Sequence, residues 1–173
     1  MKGTKFLFAI AVGVVILVAA LLISALLYFE PDQYRADDTP EGVVHNYLLA
    51  LELKDYERAY SYLLADLPGR PASVKQFAAE IDELIANVDH PPYGVNWYKD
   101  DVSLTVESAR VRGDWSQVSV RGTRAQPGAL FGDGNRSYIF YVSVRREEGA
   151  WKIEFAEWYW SYCWNDPADP RCR

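Results

Sequence analysis

Tyr138-Ile139-Phe140-Tyr141-Val142-Ser143-Val144-Arg145-Arg146-Glu147-Glu148-Gly149-Ala150-Trp151-Lys152-Ile153-Glu154-Phe155 decides how this chain is read. Tyr138, Phe140, Val142 and Val144 recur at every second position, the period of a strand with one buried face. Glu148-Gly149 then turns the chain into Trp151, Ile153 and Phe155, which resume the alternation. Upstream, Val118 and Val120 mark a strand running to about Arg124, preceded by a turn at Gly113-Asp114. Val102, Leu104 and Val106 alternate with polar residues until the phase slips at Ser108, ahead of Ala109 and Val111. Such a slip predicts a bulge. Gln126 to Asn135, rich in Pro and Gly, is expected to form a long rim loop. Four strands joined in sequence order predict an antiparallel meander.

The residues before the strands read as helices. Thr39 suits an N-cap, Pro40 the first helical position, and Glu41 the positive end of the helix. Val43, Val44, Tyr47, Leu48 and Leu51 share one face. A break at Leu53-Lys54-Asp55 leads to a second helix bearing Tyr56, Ala59, Tyr60 and Leu63, stopped by Pro68-Gly69. Ser73 caps a third, with Val74, Phe77, Ile81, Leu84 and Ile85 as its stripe, and His90-Pro91-Pro92 ends the helical half. Three helices followed by about four strands define an α+β domain with the helices on one sheet face.

At 173 residues the chain holds one ordinary domain and a small appendage. The appendage is at the front. Phe6 to Phe29 is 24 residues without a charge, and as a helix it reaches roughly 36 Å, enough to cross a ~30 Å hydrocarbon core. Lys2 and Lys5 precede it, while Glu30, Asp32, Asp37 and Asp38 follow, so the N-terminus is expected in the cytoplasm and the domain outside. The stretch exceeds the apolar region of a cleavable signal peptide and ends in Leu27-Tyr28-Phe29 with no small-x-small site, which favours an uncleaved anchor. Ala9, Gly13, Ala20 and Ser24 fall on an arc of about 60° along that helix, a stripe on which another membrane helix can pack. The expected organisation is a stub and anchor over 1–30, a linker over 31–38, the domain over 39–162, and a tail over 163–173.

The Thr39-Pro40-Glu41-Gly42-Val43-Val44 opening, Asp55-Tyr56-Glu57-Arg58-Ala59-Tyr60, and the hairpin Glu147-Glu148-Gly149-Ala150-Trp151-Lys152-Ile153 resemble the NTF2-like superfamily. They are most similar to its small membrane-anchored bacterial members of the DUF4878 type. The resemblance spans about residues 39–160 and implies a cone: helices on a curved sheet, enclosing a pocket. It also implies that homodimerisation through the sheet is available to the chain. For this chain the pocket would be lined by residues such as Val44, Tyr60, Phe77, Phe140 and Phe155.

Enzymes of that superfamily place an Asp, His or Tyr inside the cone, where burial moves its pKa toward neutrality. No such residue is evident here, so no catalytic residue is assigned. His45 lies off the main apolar face of its helix, beside Glu52; His90 precedes two prolines. Tyr56, Tyr60, Tyr62 and Tyr138 have the spacing of packing residues. Asp100-Asp101 and Glu147-Glu148 lie at strand ends and turns. Asp133-x-Asn135-x-Ser137 begins like a calcium loop, but Val144 stands where a bidentate Glu is needed. Two Cys and two His cannot complete a closed zinc site, and no phosphate-binding Gly-rich loop or haem attachment occurs. No cofactor and no metal are expected. A net charge of −6 without a basic run argues against nucleic acid.

Cys163 and Cys172, in an oxidising compartment, are expected to form a disulfide that staples the tail. Trp158-Tyr159-Trp160-Ser161-Tyr162-Cys163-Trp164 carries more rings than one strand face can bury. Trp158, Tyr159, Trp160, Tyr162 and Trp164 are therefore candidates for contact with a partner or the membrane interface; the alternative is that the tail folds over the sheet and completes the core. The functional expectation is a non-catalytic accessory or assembly subunit of a larger respiratory, photosynthetic or transport complex in the cytoplasmic membrane of a bacterium. A tethered module for a small apolar ligand is the alternative, and an isomerase- or dehydratase-type enzyme the third.

Overall fold

A computed structural model describes residues 12–19, 33–86, 102–125 and 135–172. The chain divides into two units, Met1–Gln33 and Tyr34–Arg173. In the first, residues 12–19 are helical. Val12, Val14, Val15, Ile16, Leu17 and Val18 are exposed by 42–67%, so the apolar surface is open on every side of two turns. Among the described residues no helix is long and apolar enough to cross a membrane. The rest of the 6–29 stretch, with Ala9, Ala20 and Ser24, lies outside the described residues.

The second unit is α+β. Helix α1 (Pro40–Glu52) begins where Thr39 Oγ1 accepts from the Gly42 N–H at 3.1 Å. It buries Val43, Val44, Tyr47, Leu48 and Leu51 and touches β1, β2 and β4, making it the helix that lies across the sheet. Lys54 takes a positive φ of 56°, reversing the chain so that Asp55 can cap α2 (Tyr56–Ser61) by accepting from the Arg58 N–H at 3.2 Å. Helix α3 (Val74–Ala86) buries Phe77 and Ile81, and Ser73 Oγ accepts from the Gln76 N–H at its start. Rather than lying on the sheet beside α1, α3 packs on α2 and, through Phe77, on Trp164 of the tail.

The second helix is shorter than the periodicity implied. It stops at Ser61, and Leu63 forms a parallel bridge to Ile153. The Ile153 N–H donates to Tyr62 O at 2.8 Å and the Leu64 N–H to Ile153 O at 3.0 Å. A sheet edge offering both a donor and an acceptor outcompetes one more helical turn.

Strands β1 (Val102–Arg112), β2 (Trp115–Ala125), β3 (Asn135–Glu147) and β4 (Ala150–Ala156) form one antiparallel meander in the order β1-β2-β3-β4. The register slips between Val106 and Ser108, the bulge that the phase change required. Gly113, Glu148 and Gly149 occupy the left-handed region that such tight turns need. The expected rim loop lies outside the described residues as far as 134, as does His90-Pro91-Pro92. Val118, Val120, Phe140, Val142, Val144 and Ile153 face the helices and are buried. A second slip, between Ser143 and Val144, corrects the reading of β4. Ile153 stays opposite Val144, but Phe155 falls opposite Ser143, so it leaves the inward face of Phe140 and is half-buried.

Candidate functional site

The domain carries no assigned catalytic set, so the structural interest lies in the two segments that enter and leave it. The first is Tyr34–Asp38, expected above as part of a 31–38 linker. It is instead seated on α1 and belongs to the domain unit. Asn46, completely buried, accepts from the Arg35 N–H and donates to the Arg35 carbonyl, both at 2.7 Å, and its amide also donates to Asp37. Gly42 lies beneath, where a methyl group would overlap the carbonyl oxygen of Ala36. Side chains then close over this clasp. The Arg58 guanidinium stacks 3.5 Å above the Tyr34 ring and its Nε donates to Tyr62 Oη at 3.2 Å. Tyr62 Oη donates to Asp37 at 3.0 Å, and Tyr34 Oη to Asp55 at 3.2 Å.

The electrostatics follow from that closure. Burial, reinforced by Asp55, raises the Tyr34 phenol above its usual pKa. Burial also raises Tyr62, with Arg58 opposing and Asp37 assisting. The hydrogen bond to Tyr62 raises Arg58 further, which keeps it a cation throughout. The result is a closed polar network that positions the entering backbone. The sequence reading passed over Asn46; the signal that points to it is an amide among the apolar positions of an amphipathic helix.

The second segment is the aromatic tail. Beyond Ala156 the strand does not persist: Tyr159 takes a positive φ of 59°, rare for a bulky residue, and its carbonyl accepts from Tyr47 Oη at 2.8 Å. For the three tryptophans this favours the alternative reading, a tail that completes the core. Trp158, Trp160 and Trp164 are 7%, 4% and 1% exposed and belong to the core of their own domain. Trp158 packs on Tyr138 and Phe140, Trp160 on Phe155 and Trp164, and Trp164 on Phe77 at 5.3 Å between ring centres. Their polar ends are satisfied as burial demands: Trp160 Nε1 donates to Asn165 at 2.6 Å, and Trp164 Nε1 to Glu80. Tyr159 is half-buried and Tyr162, at 55%, is exposed. Cys163 and Cys172 form the disulfide. The tail rests on Gly69, where a methyl would strike the carbonyl of Cys163.

The five residues expected to line a pocket belong to one hydrophobic core or pack against it. Val44, Phe77 and Phe140 are buried core. Tyr60 and Phe77 pack together, and Tyr60 Oη donates to Pro71 O at 2.6 Å. Phe155 meets Trp160 and Tyr162. The Tyr56 phenol donates to Asp82 at 2.5 Å, and burial, with that bond, pushes its pKa up to about 12. His45 is half-buried on α1. Glu147 accepts from the Ala65 N–H at 3.1 Å, a loop-pinning role. Asp100, Asp101 and Asp133 lie outside the described residues, while Asn135 opens β3. Among the described residues no group of three or more His, Cys, Asp or Glu could hold a metal ion.

No protein-family model matches the sequence, and no curated protein matches it. Among solved structures, the chain is similar to a SEC-C motif-containing protein from Rhodopseudomonas palustris, with 16% identity and a TM-score of 0.45 over 71% of this chain and 80% of that one. It is also similar to an NTF2-like protein of unknown function from Shewanella oneidensis, with 10% identity and a TM-score of 0.40 over 66% of this chain and 90% of that one. Neither likeness carries a function to this chain.

Proposed function

We propose that this protein is a single-pass, membrane-tethered accessory subunit that presents a non-catalytic domain of the DUF4878-like, NTF2-like type on the outer face of a bacterial cytoplasmic membrane. The observation that carries the reading is the helix at 12–19, whose six large apolar side chains are 42–67% exposed on all sides. A helix apolar all round requires apolar surroundings, protein core or bilayer, and it sits within 24 uncharged residues flanked by Lys2 and Lys5 on one side and acids on the other. The domain supports the assembly role by its construction: Tyr47, Trp158, Trp160 and Trp164 are buried in its own core, which suits a rigid module.

Extraction of native membranes in mild detergent, purification on a C-terminal tag and mass analysis of what stays bound tests the proposal. A stoichiometric set of membrane subunits is the expected result, weakened by Gly13→Leu on the small-residue stripe. Recovery of the chain alone, with Gly13→Leu indistinguishable from the parent, overturns it.

A further inference from the structure

The two edges of the sheet are treated differently. The outer edge of β4 is occupied by the Tyr62–Leu64 segment through Ile153, with Lys152 Nζ donating to Ser61 O at 2.8 Å alongside. At the other edge, β1 pairs with β2 over its whole length from Val102 to Arg112, and among the described residues nothing pairs with its outer side. An uncovered edge exposes a row of backbone donors and acceptors ready to take another strand.

The side chains of β1 specify what that strand must be. On the face shared with the core, Val102, Leu104, Val106 and Ala109 are only partly buried and Val111 is 56% exposed, leaving an apolar margin that one more row of apolar side chains would cover. On the opposite face, Ser108, Arg110 and Arg112 lie opposite Ser119, Gln117 and Trp115. Both arginines are exposed, and among the described residues neither has an ion-pair partner, whereas Arg121 is held by Glu107 at 2.5 Å and Arg145 by Asp66 at 2.6 Å. Because the bulge interrupts the ladder at Glu107, the regular docking length is Ser108–Arg112.

We infer that the outer edge of β1 is a docking site for an extended segment of a partner protein that alternates apolar and acidic residues. Its backbone continues the sheet, its apolar side chains cover Ala109 and Val111, and its carboxylates meet Arg110 and Arg112. This inference stands independently of the membrane tether.

The probe is the capped peptide (Val-Glu)4, titrated by fluorescence anisotropy onto the full chain in detergent and followed by amide exchange. The expected results are binding that falls at least tenfold in R110E/R112E and persists in R110K/R112K. A (Val-Lys)4 peptide recovers binding on the reversed variant. Those amides of 108–112 that point away from β2 slow at least tenfold at saturation, and N-methylation of alternate peptide amides abolishes the interaction. Equal binding to R110E/R112E, or binding that survives N-methylation, overturns the inference. So does finding that the β1 amides pointing away from β2 already exchange, in the peptide-free chain, as slowly as those bonded to β2, which would mean that the chain itself or a second copy covers the edge.

Discussion

The segment that enters the domain and the segment that leaves it are both seated on a glycine and held by opposite kinds of force. Tyr34–Asp38 crosses Gly42, and the tail crosses Gly69; at each point a side-chain methyl would strike a backbone carbonyl. The entering segment is then secured by hydrogen bonds from Asn46 and by a stacked Arg58. The leaving segment is secured by three buried tryptophans and a disulfide. Hydrogen bonds exchange with water at small net gain, whereas buried rings bring the full hydrophobic and dispersion contribution. The comparison teaches that the tail is part of the fold and the entry clasp is a positioning device on it.

The largest break in that comparison is expected from Trp164→Ala, which empties the contact between Phe77 and Trp160. A loss of about 3–5 kcal/mol should appear in denaturant unfolding of the full chain in detergent. A loss no larger than that of Asn46→Ala would show that the tail is not core. Replacing both Cys163 and Cys172 by Ser releases the short loop between them and should lower stability by about 2–3 kcal/mol, with the parent matching the variant once reduced. Asn46→Ala leaves the Arg35 backbone unpaired, at a cost of about 1–3 kcal/mol. It should also speed amide exchange at Arg35 while leaving Cys163 and Trp164 untouched, a separation of effects that sharpens the contrast.

A smaller effect tests the helices between the two segments. The Tyr56 phenol is raised to about 12 by burial and its bond to Asp82. Its folded value therefore lies above its ordinary one, so the neutral form stabilises the fold fully below about pH 10, and this contribution disappears as pH rises toward 12. Tyr56→Phe should flatten the fall in stability over that interval and change nothing at pH 7 to 9 beyond a constant offset. The smallest change is expected from Tyr34→Phe, which removes only the bond to Asp55 and keeps the ring under Arg58. A loss of about 0.5 kcal/mol is expected, and a loss above that of Asn46→Ala would make the side chains, rather than the backbone grip, the seat of the clasp.

Local patterns were enough to read α1 with its Thr39 cap, the Ser73 cap of α3, the strand order and the bulge near Ser108, because each depends on periodicity or on a residue bonding a few positions away. The disulfide followed from two cysteines nine positions apart and the expected oxidising compartment. What only the tertiary structure decided are matters of competition between distant partners. Helix α2 ends at Ser61 because the edge of β4 claims Leu63. Phe155 leaves the inner face because β3 and β4 slip at Ser143. The tryptophans are buried because Phe77, Phe140 and Phe155 arrive from three other elements to receive them. Tyr34–Asp38 is a clasp rather than a linker because Asn46, eleven residues after Arg35, offers both halves of an amide to its backbone. Periodicity records which side of an element avoids water, but the partner that satisfies a given ring or amide is set by how elements far apart in sequence pack together.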